Sequence, residues 1–121
     1  MTDVASREQV EEFLTKVVAC IGRGQFYHVD RSANVRTAAE LEISMAVVGD
    51  VVQNLTYMDY YRGPRSDPDR SYESVCEFGT TIGGSEVYIK LALVERYSHT
   101  ICNCISFHFP ERPIDYPLRN D

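Results

Sequence analysis

Four residues in the second half of the chain are of types that exchange protons or hold anions: Glu77, Tyr88, Lys90 and His108. A carboxylate and an imidazole can serve as base and acid near neutral pH. An ammonium beside them neutralises charge that develops on a substrate, and a phenol donates a hydrogen bond. Whether the four act together depends on which way each side chain points, and that is a question of strand parity.

The stretch Ser85 to Glu95, S-E-V-Y-I-K-L-A-L-V-E, alternates with period two. Val87, Ile89, Leu91 and Leu93 share one face; Glu86, Tyr88, Lys90, Ala92 and Val94 share the other. This is the pattern of a half-buried antiparallel strand. Just before it, Gly83-Gly84 is a two-residue hairpin signal, because glycine tolerates the positive φ that both central positions need. Counting outward from that turn sets Gly79 against Tyr88, Phe78 against Ile89, Glu77 against Lys90 and Cys76 against Leu91. Phe78 and Cys76 then fall on the oily face and Glu77 on the polar one, whereas a one-residue slip would reverse them. Thr100 to His108 alternates as well, with Ile101, Ile105 and Phe107 as the oily set and Cys102, Cys104, Ser106 and His108 as the other. Matching its faces to the central strand requires an odd turn or a bulge, expected at Arg96 to His99. Glu77, Tyr88, Lys90 and His108 then converge on one face from three strands.

The preceding chain supplies helices. Ser6-Arg7-Glu8-Gln9 is a capping box, and Val10, Phe13, Leu14, Val17, Val18 and Ile21 recur at helical spacing up to a stop at Gly22 or Gly24. Gln25 to Val29 leans toward strand, and Asp30 to Asn34 reads as a polar turn. Thr37 to Glu40 is a second capping box opening a short helix, and Ser44 caps a third that ends near Asn54. Thr56 to Arg70 holds one Gly, two Pro, three Asp, three Arg and three Tyr, which reads as a ligand-facing loop. Within it, Asp67 and Asp69 are local partners for Arg65 and Arg70. Residues 109–121 carry three prolines and read as an extended or mobile tail.

With 121 residues the chain is of single-domain size, 1–121. A formal charge of −6 excludes a general nucleic-acid coating protein but allows a local basic patch. The polar N-terminus and the absence of an apolar run of membrane-spanning length imply a cytoplasmic protein with its four cysteines as free thiols. Cys102-Asn103-Cys104 is not a zinc spacing, and His28 and His99 lie in separate segments, so neither a metal nor another cofactor is expected. The fold class is α+β, with N-terminal helices packed on one face of a three- to four-stranded antiparallel sheet.

Asp59-Tyr60-Tyr61-Arg62-Gly63-Pro64, Asp67-Pro68-Asp69-Arg70, Glu77-Phe78-Gly79, Val87-Tyr88-Ile89-Lys90-Leu91 and Ile105-Ser106-Phe107-His108, in that order and spacing, resemble the motility quorum-sensing regulator toxins (MqsR family). These are RelE-like messenger-RNA interferases of type II toxin–antitoxin systems. The resemblance spans about Val10 to Pro110. It implies a RelE-like fold, a metal-independent endoribonuclease acting on mRNA, and neutralisation by a cognate antitoxin protein. Tyr61 and Arg62 match the family's Tyr-Lys pair, with Arg in place of Lys. Glu77 matches a polar position occupied by Gln in the best-known member, Tyr88 matches directly, and His108 stands where that member has Lys.

For cleavage of a phosphodiester, Glu77 is assigned as base and His108 as acid, or the reverse. Arg62 and Lys90 meet the charge on phosphorus, and Tyr88 donates to a phosphate oxygen. Tyr61 or Tyr60 stacks on a base, and Arg65 assists in substrate binding. The plainer alternative makes Glu77 and Lys90 a cross-strand ion pair and the chain a non-catalytic module of the same fold that docks proteins on this face.

Overall fold

The computed structural model describes residues 4–67 and 70–119. Pro68 and Asp69 of the quoted loop motif, and Asn120 and Asp121 of the tail, lie outside the described residues. The chain is α+β. Helix α1 (Arg7–Gly22) starts at the expected capping box, with the Ser6 hydroxyl accepting from the Gln9 N–H and the Gln9 side chain accepting from the Ser6 N–H. Strand β1 (Phe26–His28), helix α2 (Ser32–Glu40) and helix α3 (Met45–Gln53) follow. A single 3-10 turn at Tyr57–Asp59 leads into β2 (Tyr60–Asp67), β3 (Arg70–Ile82), β4 (Ser85–Arg96) and β5 (His99–His108).

The sheet has five strands in the order β1-β5-β4-β3-β2. It is mixed, because β1 runs parallel to β5 while the other neighbours are antiparallel. This corrects the expectation of three or four antiparallel strands. The additional strand is β2, in the segment that its Gly and Pro marked as a loop. A strand at the end of the sheet tolerates both, since among the described residues its outer side carries only the single bridge from Val4 to Gly63. Register shifts between Tyr60 and Arg62, Arg62 and Arg65, and Ser66 and Asp67 keep it irregular. Gly63 has φ +105°, and a Cβ there would stand 2.6 Å from the Val75 carbonyl oxygen, so this close strand approach requires glycine.

The β3–β4 hairpin has the register read from the sequence, from Ile82 opposite Ser85 through Glu77 opposite Lys90 to Cys76 opposite Leu91, around Gly83 and Gly84 at φ +57° and +83°. The helical boundaries are less legible. Helix α2 begins at Ser32, inside the expected polar turn, and Thr37 is a buried interior residue bonded to the Ala33 carbonyl rather than a cap. Side chains of α1 and α3 share one hydrophobic cluster with Cys76 and Phe78 of β3, Val87, Ile89, Leu91 and Leu93 of β4, and Phe107 of β5. Phe13 lies 6.1 Å from Phe78, ring centre to ring centre. Among the described residues α2 contributes nothing to that cluster; it is tied to β5 and to the end of β1 through Asn34.

The β4–β5 pairing departs from the expected faces. Leu93 stands opposite Cys102 and Leu91 opposite Cys104, which puts both thiols in the core. The parity change comes at Ile105, where a bulge shifts the register, and not at the Arg96–His99 turn. Beyond the bulge Lys90 is opposite Ser106 and Tyr88 is opposite His108. All four cysteines are free and buried. No helix among the described residues is long and apolar enough to cross a membrane.

Candidate active site

Glu77 is the centre of the polar face. It is only 1% exposed, a placement that a carboxylate sustains only with charged or hydrogen-bonding partners. Arg62 Nε donates to Glu77 Oε2 at 2.7 Å, Arg65 approaches the same oxygen at 3.3 Å, and the Tyr88 hydroxyl donates to Oε1. The Glu77–Lys90 ion pair does not form, although the two residues are directly opposite. Two guanidiniums from the edge strand occupy the carboxylate instead, and Arg65 thus reaches Glu77. Burial pushes the Glu77 carboxyl up, but hydrogen bonds from Arg62 and Tyr88 and the charges of Arg62 and Arg65 outweigh it, and the group is held below its ordinary range. The Tyr88 phenol is shifted far up, first by burial and then by its bond to the Glu77 anion, so it stays protonated.

His108 completes the constellation from β5. Its ring lies 5.2 Å from that of Tyr88, tilted by 38°. Nδ1 is 3.0 Å from the Phe109 carbonyl oxygen. A carbonyl can only accept, so Nδ1 carries the proton and, in the neutral ring, Nε2 carries the lone pair. Tyr61, Arg62, Tyr88 and His108 line a cavity of about 340 Å³. Its remaining wall is the tail, with Glu111 and Arg112 on the rim.

The structure brings Glu77, Tyr88, Arg62, Arg65, Tyr61 and His108 together, and places Lys90 on the same face outside the cavity lining. Tyr60 is a correction. It is fully buried, edge-on to Phe78 at 6.4 Å, and its hydroxyl donates to the Gly63 carbonyl and accepts from the Ala5 N–H. Adjacent residues of a strand point to opposite faces, so Tyr61 at the cavity sends Tyr60 into the core.

Of the two readings of the tail, extended or mobile, the docked contacts fit the extended one. The tail is irregular but docked: Ile114 is 9% and Leu118 5% exposed. A signal was present, since Ile114, Tyr116 and Leu118 are spaced two apart, the pattern of an extended segment with one covered face. Asn34, which holds the β5 bulge, gave no such signal; an asparagine beside Asp30 reads as turn chemistry.

Among the described residues no group of three or more His, Cys, Asp or Glu side chains is arranged to hold a metal ion. What the fold and site define is an α+β protein with a five-stranded mixed sheet and a buried, twice-paired carboxylate beneath an open cavity. No family model, curated protein or solved structure matches this chain.

Proposed function

We propose that this chain is a metal-independent endoribonuclease, a RelE-like messenger-RNA interferase of a type II toxin–antitoxin system, acting in the cytoplasm and restrained by a cognate antitoxin. The observation that carries the reading is the His108 ring. It is fixed through Nδ1 by a backbone carbonyl and packed at a tilt against Tyr88, with Nε2 as its lone-pair atom, in a cavity that also holds Arg62. The resemblance in motif order and spacing supplies the reaction.

In that reaction the ribose 2′-oxygen attacks phosphorus, a 2′,3′-cyclic phosphate forms and the bond to the 5′-oxygen breaks. His108 Nε2 accepts the 2′-hydroxyl proton and later releases it to solvent, while water on the far side of phosphorus supplies the proton taken by the departing 5′-oxygen. Arg62, with Lys90 nearby on the same face, meets the charge gathering on phosphorus. Tyr61 offers a ring for a base to stack upon. Glu77 is poorly suited as a base, because its charge is already shared among Arg62, Arg65 and Tyr88. It serves as the buried anion that fixes the Arg62 and Tyr88 side chains.

The test is cleavage of a labelled single-stranded RNA by the purified protein in excess EDTA. The expected products end in 2′,3′-cyclic phosphate, and His108→Ala lowers the rate by about 10²–10⁴-fold. Full activity in His108→Ala, or intact RNA with the wild-type protein, rejects the reading. The saturation of Glu77 also favours a second reading, a structural ion cluster under a protein-docking face. Harmless overexpression without RNA decay selects that module; growth arrest relieved by a co-expressed neighbouring gene product selects the toxin.

A further inference from the structure

Resting on the phosphodiester-binding reading of the site, we infer that the segment after β5 is a built part of it, with Arg112 contacting the substrate phosphate and the Glu86–Tyr116 pair positioning Arg112. The segment is held to the sheet at two places. In the first, both oxygens of Glu86 are engaged by the tail: Oε1 accepts from the Ile114 N–H at 3.1 Å and Oε2 from the Tyr116 hydroxyl at 2.9 Å. Beneath them Gly79 makes room, since a Cβ at that position would stand 2.5 Å from both Ile114 Cδ1 and the Tyr116 hydroxyl. In the second, Leu118 enters the hydrophobic core, while Arg119 lies 3.8 Å above the Tyr116 ring and donates to the Met58 carbonyl at 3.2 Å.

These attachments fix the stretch between His108 and Ile114 as one wall of the cavity. Pro110 and Pro113 stiffen it, because each has its φ set by the ring. Arg112 stands on the rim of the cavity that contains Arg62 and His108. The charge balance gives Arg112 its role. Arg62 and Arg65 share their charge with the Glu77 carboxylate, so much of their attraction for a further anion is already met. Arg112 forms no ion pair among the described residues. Glu111 lines the same cavity but no ion pair joins it to Arg112, so the exposed guanidinium keeps its donors for a phosphate, which it can grip through two parallel N–H bonds.

The experiment titrates uridine 3′-monophosphate into the full-length protein and its variants, following the His108 ring protons by NMR and the dissociation constant. Arg112→Ala is expected to weaken binding about fivefold to tenfold, with Arg112→Lys recovering part of the loss and Arg112→Gln none. Tyr116→Phe and Gly79→Ala, which loosen this wall but keep the Arg112 guanidinium, are expected to weaken binding about threefold, and adding Arg112→Ala to Tyr116→Phe to cost less than it does alone. Arg112→Ala binding as tightly as wild type, while Arg62→Ala loses affinity, overturns the role of the tail and leaves the site reading intact. A wild-type protein that binds neither the nucleotide nor inorganic phosphate overturns both.

Discussion

Glu77 shows how a single residue type can be placed by its neighbours. Directly across from Lys90 it had an ammonium available, yet the carboxylate is held by Arg62 and Arg65 from the edge strand and by the Tyr88 phenol. A flexible ammonium remains half in water, whereas planar guanidiniums present fixed donors to a buried carboxylate. The cluster is asymmetric, since Glu77 is 2% exposed at its side chain while Arg62 and Arg65 are 46% and 54% exposed. Glu77→Gln leaves two cations that water can solvate and is expected to cost about 1–2 kcal/mol. The Arg62→Ala, Arg65→Ala double variant strands a buried anion and is expected to cost about 3–5 kcal/mol. Urea unfolding of the two at pH 7 checks the order. The pH dependence follows from the depressed Glu77 carboxyl. Its stabilisation is present above the unfolded-state value, about 4.3, and is lost as pH falls through the lower folded-state value. The stability gap between wild type and Glu77→Gln should therefore narrow as pH falls below about 4.3 toward the lower folded-state value. Half-buried Asp59, whose shift runs upward through partial desolvation, is common to both proteins and cancels.

At the scale of elements, the turn of His108 onto the Tyr88 side depends on the bulge at Ile105, and the bulge depends on one side chain from another element. Asn34 Nδ2 donates to the Val29 and Ile105 carbonyls at 3.1 Å each, and its Oδ1 accepts from the Phe107 N–H at 3.0 Å. A bulge frees backbone groups that must find partners, and Asn34 supplies them. Asn34→Ala is expected to cost about 1–3 kcal/mol by taking their partner from the Ile105 carbonyl and the buried Phe107 N–H, with faster amide exchange at Phe107 as the local signature. Asn34→Asp keeps the acceptor, loses both donors and recovers little. The same dependence explains which parts of the fold were legible. The Ser6 capping box and the Gly83-Gly84 register rest on neighbours in sequence, and both were readable. The bulge was sought at Arg96–His99 because local chemistry favours a turn there; Asn34 lies some seventy residues from the strand it holds. Cys102 and Cys104 sorted with the polar set by alternation, yet a free thiol behaves as a small apolar group. β2 was hidden by Gly63 and Pro64, which break a central strand but not an edge.

Across the whole molecule, the two faces of the sheet divide the work. One face, with α1 and α3, forms the hydrophobic cluster; the other carries the ionic residues at one end and buried Ala92 and Val94 at the other. The four thiols lie in the interior: Cys20 on α1, Cys76 on β3, Cys102 and Cys104 on β5. Burial pushes Cys76 and Cys104 up to about 12 and Cys102 further, so none of the three supplies thiolate at neutral pH while folded. Their reaction with a disulfide reagent must wait for opening, and the sheet strands that hold them share one core. If that core opens as a unit, the three react with one rate, equal to that set by the global unfolding equilibrium. Cys20 differs. It sits in the last turn of α1, its thiol donates to the Thr100 carbonyl at 3.4 Å, and Arg23 from the following residues reaches its sulfur at 3.7 Å. Fraying of one helix end exposes it without unfolding the sheet. The expected kinetics have one faster thiol, removed by Cys20→Ser, and three slower ones that accelerate together in urea. Separate rates for Cys76 and Cys104 would mean that β3 and β5 open independently, and the face presenting Glu77 and His108 would then not be one rigid surface.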